Sequence, residues 1–336
     1  MRIIVDGMGG DNAPLEIVRG CIEAASETDA KISVIGKEEA LLNAFRECKY
    51  EGDIDIINAS EVISNDEAPS RAVMTKKDSS IVKALEMLKR GEADAFVSAG
   101  STGAMLAGGM FVLGRIPGID RPAIATIYPI MGKEPSMLLD AGANANCKPN
   151  TLLEFAMMAS IYMEKVIGRE NPTIGLVNNG TESHKGSTLT KATYENLKNS
   201  SLNFIGNVEA RDLPFGAADI YVTDGFTGNV ILKLTEGMAI MMMRELKKRM
   251  TSTTKAKIGA LMMKDQLKDM KAALDYAEYG GAPILGVKGI IVKMHGSSDA
   301  YAVKNAILAT IPFYENKVIE RISDAVLESE TILEEN

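Results

Sequence analysis

The sequence predicts an α/β fold, a mainly parallel β-sheet between layers of helices in an α/β/α sandwich. Short runs of apolar, largely β-branched residues alternate along the chain with longer helix-like segments, which is the pattern of βα units. Most of these runs have an apolar centre, as expected for parallel strands that are buried on both faces. The 336 residues, 46% of them hydrophobic, are enough for a sizeable core.

Ten runs are predicted to be strands, and the segments between them are predicted to be helices and loops. The runs lie at 2–5, 31–36, 54–58, 95–99, 123–129, 136–141, 173–178, 203–208, 219–224 and 289–294. We expect residues 1–336 to form a single domain, with a waist near 169–173, where "RENPT" has the composition of a turn. Residues 236–284 are expected to form a helical, amphipathic region within it.

Composition and charge disfavour several classes of protein. The net charge of −8 argues against general nucleic-acid binding, which needs Lys and Arg to neutralise phosphates. No window approaches the roughly 20 apolar residues of a membrane span. The start, "MRIIVDGMGGDNAP", lacks the apolar core of a secretory signal, so a cytoplasmic protein is expected. The three cysteines form no Cys-x-x-Cys pair, which predicts reduced, buried thiols.

Four predicted strands are followed by the same kind of turn, from apolar residues to Gly, then to Ser or Thr, then towards a helix. The turns are "VSAGSTGAML" (97–106), "LVNNGTESHKGS" (176–187), "VTDGFTGNVI" (222–231) and "VKMHGSSDAYA" (292–302). Glycine lets the backbone approach a ligand, and the first N–H groups of the helix attract an anion. Because these turns meet at the carboxyl edge of a parallel sheet, they predict a shared binding cleft.

Two more loops, "VDGMGGDNAP" (5–14) and "LDAGANANCKPN" (139–150), place polar side chains on the same edge: Asp6, Asp11, Asp140 and Asn144. One such turn is explained by chain reversal alone, but six favour a ligand site. The P-loop pattern is absent and "GMGGDN" does not complete Gly-x-Gly-x-x-Gly, so phosphate or a phosphorylated small molecule fits better than a nucleotide. The aspartates are expected to accept local hydrogen bonds, and no metal site is predicted.

Both histidines of the chain, His184 and His295, fall in these loops. Their position favours a role as a proton shuttle or as a hydrogen-bond donor to phosphate. Gly-x-Ser-x-Gly and an activated cysteine are missing from the sequence, so nothing in it predicts a covalent acyl-enzyme.

Residues 255–279 are predicted to form one basic amphipathic helix, because apolar side chains and lysines fall on opposite faces at helical spacing. The apolar face contains Met262, Met263, Leu267, Met270, Ala273, Leu274 and Ala277, and the basic face contains Lys257, Lys264, Lys268 and Lys271. Residues 244–271 carry nine Lys and Arg against three acids. The pattern fits a membrane surface or an acidic partner, and equally a packing or dimer-interface helix with a solvated lysine face.

Longer motifs resemble a known family nearly end to end. In chain order they are "DGMGGDNAP" (6–14), "SAGSTGAML" (98–106), "GIDRPAIA" (118–125), "LDAGANANCKP" (139–149), "HKGS" (184–187), "NFIGNVEARDLPFG" (203–216), "DGFTGNV" (224–230) and "GVKGIIVKMHGSSDA" (286–300). They resemble the bacterial phosphate acyltransferase family of phospholipid synthesis. The resemblance implies a fold similar to phosphotransacetylase and to the isopropylmalate dehydrogenase group.

The resemblance also implies a reaction and partners. Inorganic phosphate would attack the thioester of a long-chain acyl-acyl carrier protein, giving acyl phosphate and free carrier thiol, without a cofactor. The acyl phosphate would pass to a downstream membrane glycerol-3-phosphate acyltransferase. The protein would be a homodimer associated peripherally with the cytoplasmic face of the membrane.

The loops and the resemblance together suggest a role for each candidate residue. Phosphate would be held by Ser101, Thr102, Gly103, Thr227 and Gly228; His184 and Lys185 would neutralise charge; Asn229 or His295 would donate to the thioester oxygen. The other loop residues are Asp6, Asp11, Asp140, Asn144, Asp224 and Ser297. Docking to the membrane or to the acidic carrier would use Met262, Met263, Lys264, Leu267, Lys268, Met270 and Lys271.

Three alternatives stay open. The first is a phosphotransacetylase-like enzyme that uses acyl-CoA, although no adenine site is evident in the sequence. The second is a hydroxyacid dehydrogenase of the same general fold, which the missing nicotinamide fingerprint disfavours. The third is a non-catalytic membrane scaffold built round 255–279, which would leave the six loops unexplained.

Overall fold

The computed structural model describes residues 1–130, 132–273 and 280–334. The strands within these ranges are β1 Arg2–Asp6, β2 Lys31–Gly36, β3 Asp55–Asn58, β4 Ala95–Ser98, β5 Ala123–Ile124, β6 Thr126–Tyr128, β7 Ser136–Leu139, β8 Ile174–Asn178, β9 Phe204–Glu209, β10 Ile220–Val222, β11 Ala282–Leu285 and β12 Ile290–Lys293. The α-helices are α1 Leu15–Ala25, α2 Glu38–Glu47, α3 Pro69–Thr75, α4 Ser80–Lys89, α5 Thr102–Gly108, α6 Pro149–Tyr162, α7 Thr188–Lys198, α8 Gly225–Met250, α9 Thr254–Met262, α10 Lys264–Ala273, α11 Ala300–Glu315 and α12 Val318–Glu334. Two π-helical turns, Gly109–Leu113 and Met163–Ile167, continue α5 and α6.

The strands form two mostly parallel sheets where the sequence predicted one. A seven-stranded sheet has the order β3-β2-β1-β4-β12-β11-β5, and a five-stranded sheet has the order β6-β7-β10-β8-β9. β11 and β6 pair antiparallel with their neighbours. The central strands are apolar and fully buried, as in β1, where Ile3, Ile4 and Val5 have no exposed surface. The predicted α/β class with a mainly parallel arrangement is confirmed.

Two details of the sheets differ from the prediction. The run predicted as one strand, 123–129, is divided between β5 in the larger sheet and β6 in the smaller, with only Ala125 between them. β11 was not predicted, and its four residues, "APIL", include Pro283, a residue type that is unfavourable within a strand. Here Pro283 lies in an antiparallel segment, where its carbonyl oxygen accepts a hydrogen bond from the N–H of Ala125 at 3.0 Å.

The prediction of one continuous helix over 255–279 is wrong. The chain forms α9 and α10 instead, because Met263 between them leaves helical geometry at φ −102° and ψ 15°. A helical wheel drawn through this break does not apply, so the predicted opposite faces are not formed by one helix. Leu274 and Ala277 of the predicted apolar face lie outside the described residues.

Residues 169–173 connect the second π-helical turn to β8. β7 before this segment and β8 after it both pair with β10 in the same sheet, so the sheet is continuous across it. The single domain and the waist at 169–173 stay predictions.

The six loops singled out by their Gly and Ser or Thr pattern follow β1, β4, β12, β7, β10 and β8. β1, β4 and β12 are parallel neighbours in the larger sheet, and β7, β10 and β8 are parallel neighbours in the smaller one. Parallel neighbours end on the same side of a sheet, so each sheet contributes three loops to one edge.

Candidate active site

A cavity of about 310 Å³ is lined by residues that follow strands of both sheets. Thr102 and His295 come from loops of the seven-stranded sheet, and Gly142 and Asn229 follow β7 and β10 of the five-stranded sheet. The cavity therefore lies between the carboxyl edges of the two sheets, the position at which open α/β folds bind ligands.

The lining of this cavity is mixed in character. Apolar side chains are contributed by Ile124, Ile127, Leu232 and Met294, and polar or charged ones by Thr102, Asn229, Lys233, Glu236, Lys293 and His295. A few polar groups among apolar walls are typical of a small-molecule site. This lining suits a ligand that joins an anionic group to an apolar part.

Asp6 connects the end of β1 to the loop after β4 through hydrogen bonds. It is the last residue of β1, is buried, and accepts a hydrogen bond from the hydroxyl of Ser98 at 2.7 Å. The same hydroxyl oxygen accepts the N–H of Gly100 at 2.9 Å, which orders the loop after β4. Burial raises the pKa of Asp6, while the hydrogen bond from Ser98 opposes that rise.

The loop after β1 is tied to the loop after β12. The N–H of Asp11 donates to the carbonyl oxygen of Gly296 at 2.7 Å. The side-chain amide of Asn12 donates to the carbonyl oxygens of Ser297 and Ser298, each at 3.2 Å. The loops after β1 and β12 thus form one connected wall.

Asp140 organises the loop after β7. Its fully buried carboxylate accepts five hydrogen bonds of 2.7–3.2 Å, from the backbone N–H groups of Ile124, Gly142, Ala143 and Asn144 and from the side-chain amide of Asn144. Burial raises the pKa of Asp140, and these donors oppose that rise. Because Ile124 belongs to β5, this one carboxylate links the smaller sheet to the larger.

The same loop holds the start of α8. The carbonyl oxygen of Asn144 accepts the N–H of Gly225 at 2.7 Å. Gly228 in the first turn is buried against the backbone of Asp140, so closely that a Cβ at 228 would lie less than 3.0 Å from that carbonyl oxygen. The absence of a side chain at 228 permits this approach.

Asp224 caps α8 and aims one side of the helix at the cavity. Its carboxylate accepts the N–H of Thr227 at 2.9 Å and the hydroxyl of Thr227 at 2.8 Å. Asn229, Lys233 and Glu236 follow at spacings of four and three residues, so they share a side of the helix, and all three line the cavity. Lys233 and Glu236 form an ion pair of 2.8 Å.

Lys293 brings a second lysine to the cavity from the opposite sheet. It ends the otherwise buried strand β12, and its ammonium donates to the carbonyl oxygens of Ala99, at 3.4 Å, and of Met294. Burial lowers the pKa of Lys293 to about 8; Asp6 nearby raises it and Lys233 lowers it further.

Three of the predicted site residues line the cavity: Thr102, Asn229 and His295. Ser101 and Gly103 flank Thr102 in sequence, and the Ser101 hydroxyl caps α5 by accepting the N–H of Ala104 at 3.4 Å. The individual roles of all five residues stay predictions.

Other predicted residues lie next to the cavity or away from it. Ser297 has its hydroxyl 2.8 Å from Nδ1 of His295. Thr227 makes its contacts with Asp224 within the cap of α8. His184 and Lys185 are exposed in the loop after β8 and are not among the described residues that line the cavity. Their role in neutralising charge stays a prediction.

The predicted docking residues lie on α9 and α10 and at the break between the helices. Met262 and Met263 have 81% and 51% of their surface exposed, and Lys264 and Lys268 are also exposed. Leu267 and Met270 are half-buried, and the side chain of Lys271 lies outside the described part of the structure.

Three charged residues of the cavity were not predicted: Lys233, Glu236 and Lys293. Lys233 and Glu236 fall in a helix whose polar residues have no distinctive spacing in the sequence. Lys293 did carry a signal, because it is a single charge at the end of the apolar run "GIIVK", directly before the histidine loop.

Comparison with known proteins gives consistent results along the whole chain. Residues 1–321 match a family model described as "Fatty acid synthesis protein". The "Phosphate acyltransferase" of Clostridioides difficile strain 630 is 47% identical over 327 residues, covering 97% of this chain and 96% of that protein. The "Phosphate acyltransferase" of Alkaliphilus oremlandii strain OhILAs is 51% identical over 327 residues, covering 97% of each.

Solved structures with the same fold are more distant in sequence. A phosphotransacetylase from Streptococcus pyogenes superposes with a TM-score of 0.62 at 18% identity, covering 95% of this chain and 94% of that chain. A branched-chain phosphotransacylase from Enterococcus faecalis V583 gives a TM-score of 0.58 at 16% identity, covering 95% and 99%. The expected similarity to the phosphotransacetylase fold is confirmed.

Proposed function

Because this chain belongs to the phosphate acyltransferase family, we propose that its cavity is where inorganic phosphate attacks the thioester of a long-chain acyl-acyl carrier protein. The chain is an acyltransferase that uses phosphate in fatty acid and phospholipid synthesis. The acyl carrier protein as donor and the positions of both substrates are the proposed parts. The acyl phosphate would then serve a downstream membrane glycerol-3-phosphate acyltransferase.

The mixed lining of the cavity carries this proposal. A phosphate oxygen forms a bond to the carbonyl carbon, the carbon–sulfur bond breaks, and the carrier leaves as a thiolate. Phosphate is already a nucleophile, so the protein has only to orient it and to stabilise the negative charge that develops on the carbonyl oxygen. Thr102, Lys293 and His295 offer donors to anionic groups, and Ile127 and Leu232 offer apolar contacts to the acyl chain.

Release of carrier thiol from purified palmitoyl-acyl carrier protein tests the reaction directly. We expect thiol release that depends on inorganic phosphate, with an acyl phosphate product that hydroxylamine traps. Thiol release that is independent of phosphate would mean hydrolysis and would overturn the proposal.

The alternative acyl donor, acyl-CoA, fits less well. Its carrier has an adenine nucleotide, and the loops lack the glycine signatures of nucleotide sites. The same assay with palmitoyl-CoA separates the two donors, because faster release from CoA than from the carrier protein would favour the phosphotransacetylase-like enzyme.

Asn229 is proposed to donate a hydrogen bond to the thioester oxygen as it becomes negative. Asn229→Ala should lower turnover by about tenfold to a thousandfold, the usual effect of removing such a donor. The side chain is exposed, so the melting temperature should change little. Steady-state kinetics with Asn43→Ala, an exposed residue of α2, provides the control. Normal turnover in Asn229→Ala would remove Asn229 from the mechanism, and Lys185→Ala tests Lys185 in the same way.

Peripheral membrane association of this protein is proposed through α9. Ile258, Leu261 and Met262 of this helix are 59–81% exposed, and lysines stand beside them at 255, 257 and 264. Apolar side chains flanked by lysines are typical of a helix that lies in a membrane surface. None of the helices in the described ranges combines the length and apolar character that crossing a bilayer requires.

Met262→Glu should abolish co-sedimentation with anionic liposomes, because it places a carboxylate where the apolar side chain would enter the lipid. Met74→Glu is the matched control, since Met74 on α3 is also exposed, at 66%. Thiol release from the soluble carrier protein should stay normal in both variants. Unchanged sedimentation of Met262→Glu would contradict the membrane role, and lost activity on the soluble carrier would favour carrier docking instead.

A homodimer is also proposed, and α8 supports it. Val230, Leu234, Met238 and Met241 are 45–64% exposed and recur at spacings of four, four and three residues. Exposed apolar side chains on one side of a helix are typical of a surface that packs against another subunit.

A further inference from the structure

The carboxyl end of β12 places a lysine in the wall of the cavity. β12 lies inside the seven-stranded sheet, between β4 and β11. The three residues before Lys293 are buried and apolar. Lys293 itself is half-buried and lines the cavity together with Thr102 and His295. A partly desolvated ammonium group is costly without hydrogen bonds and an opposite charge nearby.

Backbone carbonyl groups fix the direction of this ammonium group. Within the described residues, Nζ of Lys293 donates to the carbonyl oxygens of Ala99 and Met294. An ammonium group has three N–H donors, so one remains for a ligand in the cavity. The two carbonyl groups hold the side chain in place before any ligand arrives, which is the preorganisation that anion binding needs.

The charges around Lys293 favour an anion. The titratable groups that face it are Asp6 at the end of β1, Lys233 and Glu236 on α8, and His295 on the following loop. Asp6 is buried and accepts a hydrogen bond from the hydroxyl of Ser98 at the end of β4, and Glu236 pairs with Lys233. The positive charge of Lys233 disfavours the charged form of Lys293, and an anion between the two ammonium groups would add an attraction to each of them.

We propose that Lys293 is the main cation that binds the attacking phosphate. The exposed residues His184 and Lys185 do not have this role. This inference rests on the proposed function of the same cavity. Lys293 stays protonated throughout: its N–H donates to a non-attacking phosphate oxygen, while another oxygen of the same phosphate bonds to the thioester carbon. It is a substrate-binding residue and transfers no proton.

The first test removes the charge of Lys293 and keeps a side chain of similar shape. Lys293→Met should raise the KM for inorganic phosphate by about tenfold to a hundredfold, the usual loss for a hydrogen bond from a charged donor. The KM for the acyl carrier substrate should change little. Lys288→Met is the matched control, because Lys288 is exposed just before the amino end of the same strand. An unchanged KM for phosphate in Lys293→Met would overturn the proposal.

The second test uses pH and remains informative if Lys293→Met folds poorly. Because the pKa of Lys293 is near 8, the kcat/KM for phosphate should fall as pH rises through that value and the ammonium loses its charge. Lys293→Arg keeps its charge at these pH values, so the alkaline fall should move to higher pH. An alkaline fall at the same pH in both proteins would assign it to another group and would contradict the inference.

Phosphate binding without turnover separates this inference from the proposed function. Inorganic phosphate should raise the melting temperature of the wild-type protein and of Lys288→Met, but not that of Lys293→Met. If phosphate raises the melting temperature of the wild type and of Lys288→Met only, but no thiol is released, the phosphate site is supported and the proposed reaction is contradicted. If thiol release depends on phosphate but Lys293→Met is protected like the wild type, the reaction stands and Lys293 is not its phosphate ligand.

Discussion

Gly228→Ala is expected to lower the free energy of unfolding by about 3 kcal/mol, because the added methyl group would overlap a backbone group that cannot move aside on its own. The new Cβ would lie less than 3.0 Å from the carbonyl oxygen of Asp140, which is backbone and cannot rotate away. The first turn of α8 would have to move off the loop after β7. Urea unfolding followed by circular dichroism measures the change.

Gly259→Ala is the matched control, since it makes the same substitution at an exposed position of a helix, α9. Nothing lies within 4 Å of a Cβ at 259. Alanine is the better helix former, so this variant should be more stable than the wild type by about 0.5–1 kcal/mol. Equal stability of the two variants would mean that the close approach at Gly228 does not hold in solution.

Asp140→Ala should lower the free energy of unfolding by about 3–5 kcal/mol, because it leaves buried backbone donors without an acceptor. Four backbone N–H groups and one side-chain amide donate to this carboxylate, from both sheets. Turnover should also fall, since the loop and the start of α8 position Asn229. The measurements are denaturant unfolding and phosphate-dependent thiol release.

Asp140→Asn should cause a smaller loss of stability than Asp140→Ala, because it removes only some of the acceptors. It keeps one oxygen for the N–H groups of Ile124, Gly142 and Ala143, but puts an amide nitrogen against the two donors of Asn144. A loss between that of Asp140→Ala and zero, about 1–3 kcal/mol, is expected. If Asp140→Asn and Asp140→Ala are equally stable, the bonds to Ile124, Gly142 and Ala143 contribute little.

The strands and the edge that carries the site were predictable because they depend on local patterns. A parallel strand that is buried on both faces is apolar along its centre, and β1 shows this in Ile3, Ile4 and Val5. A turn that must reverse sharply next to a ligand uses glycine, and all six such turns lie at carboxyl ends of strands. The division into two sheets was not predictable, because no glycine, proline or other turn residue marks a break at Ala125 within the run 123–129.

The interior of the site was harder to predict because it depends on contacts between distant segments. The donors to Asp140 include Ile124, which is sixteen residues away in sequence and in the other sheet. Lys293 is one charge at the end of an apolar run, and only the approach of Asp6 and α8 shows that it lies in a cavity. The break at Met263 was missed because a helical wheel assumes an unbroken helix.

The chain passes from the larger sheet to the smaller one at Ala125, and this position affects the width of the cavity. Ala125 is fully buried and is the one residue between β5 and β6, and Ile124, Thr126 and Ile127 on either side of it line the cavity. A change in the angle between the sheets would turn the chain about this residue, next to the proposed substrate site. Because walls close to such a pivot would move little, this end of the cavity would keep its dimensions and any change in width would fall at the opposite end.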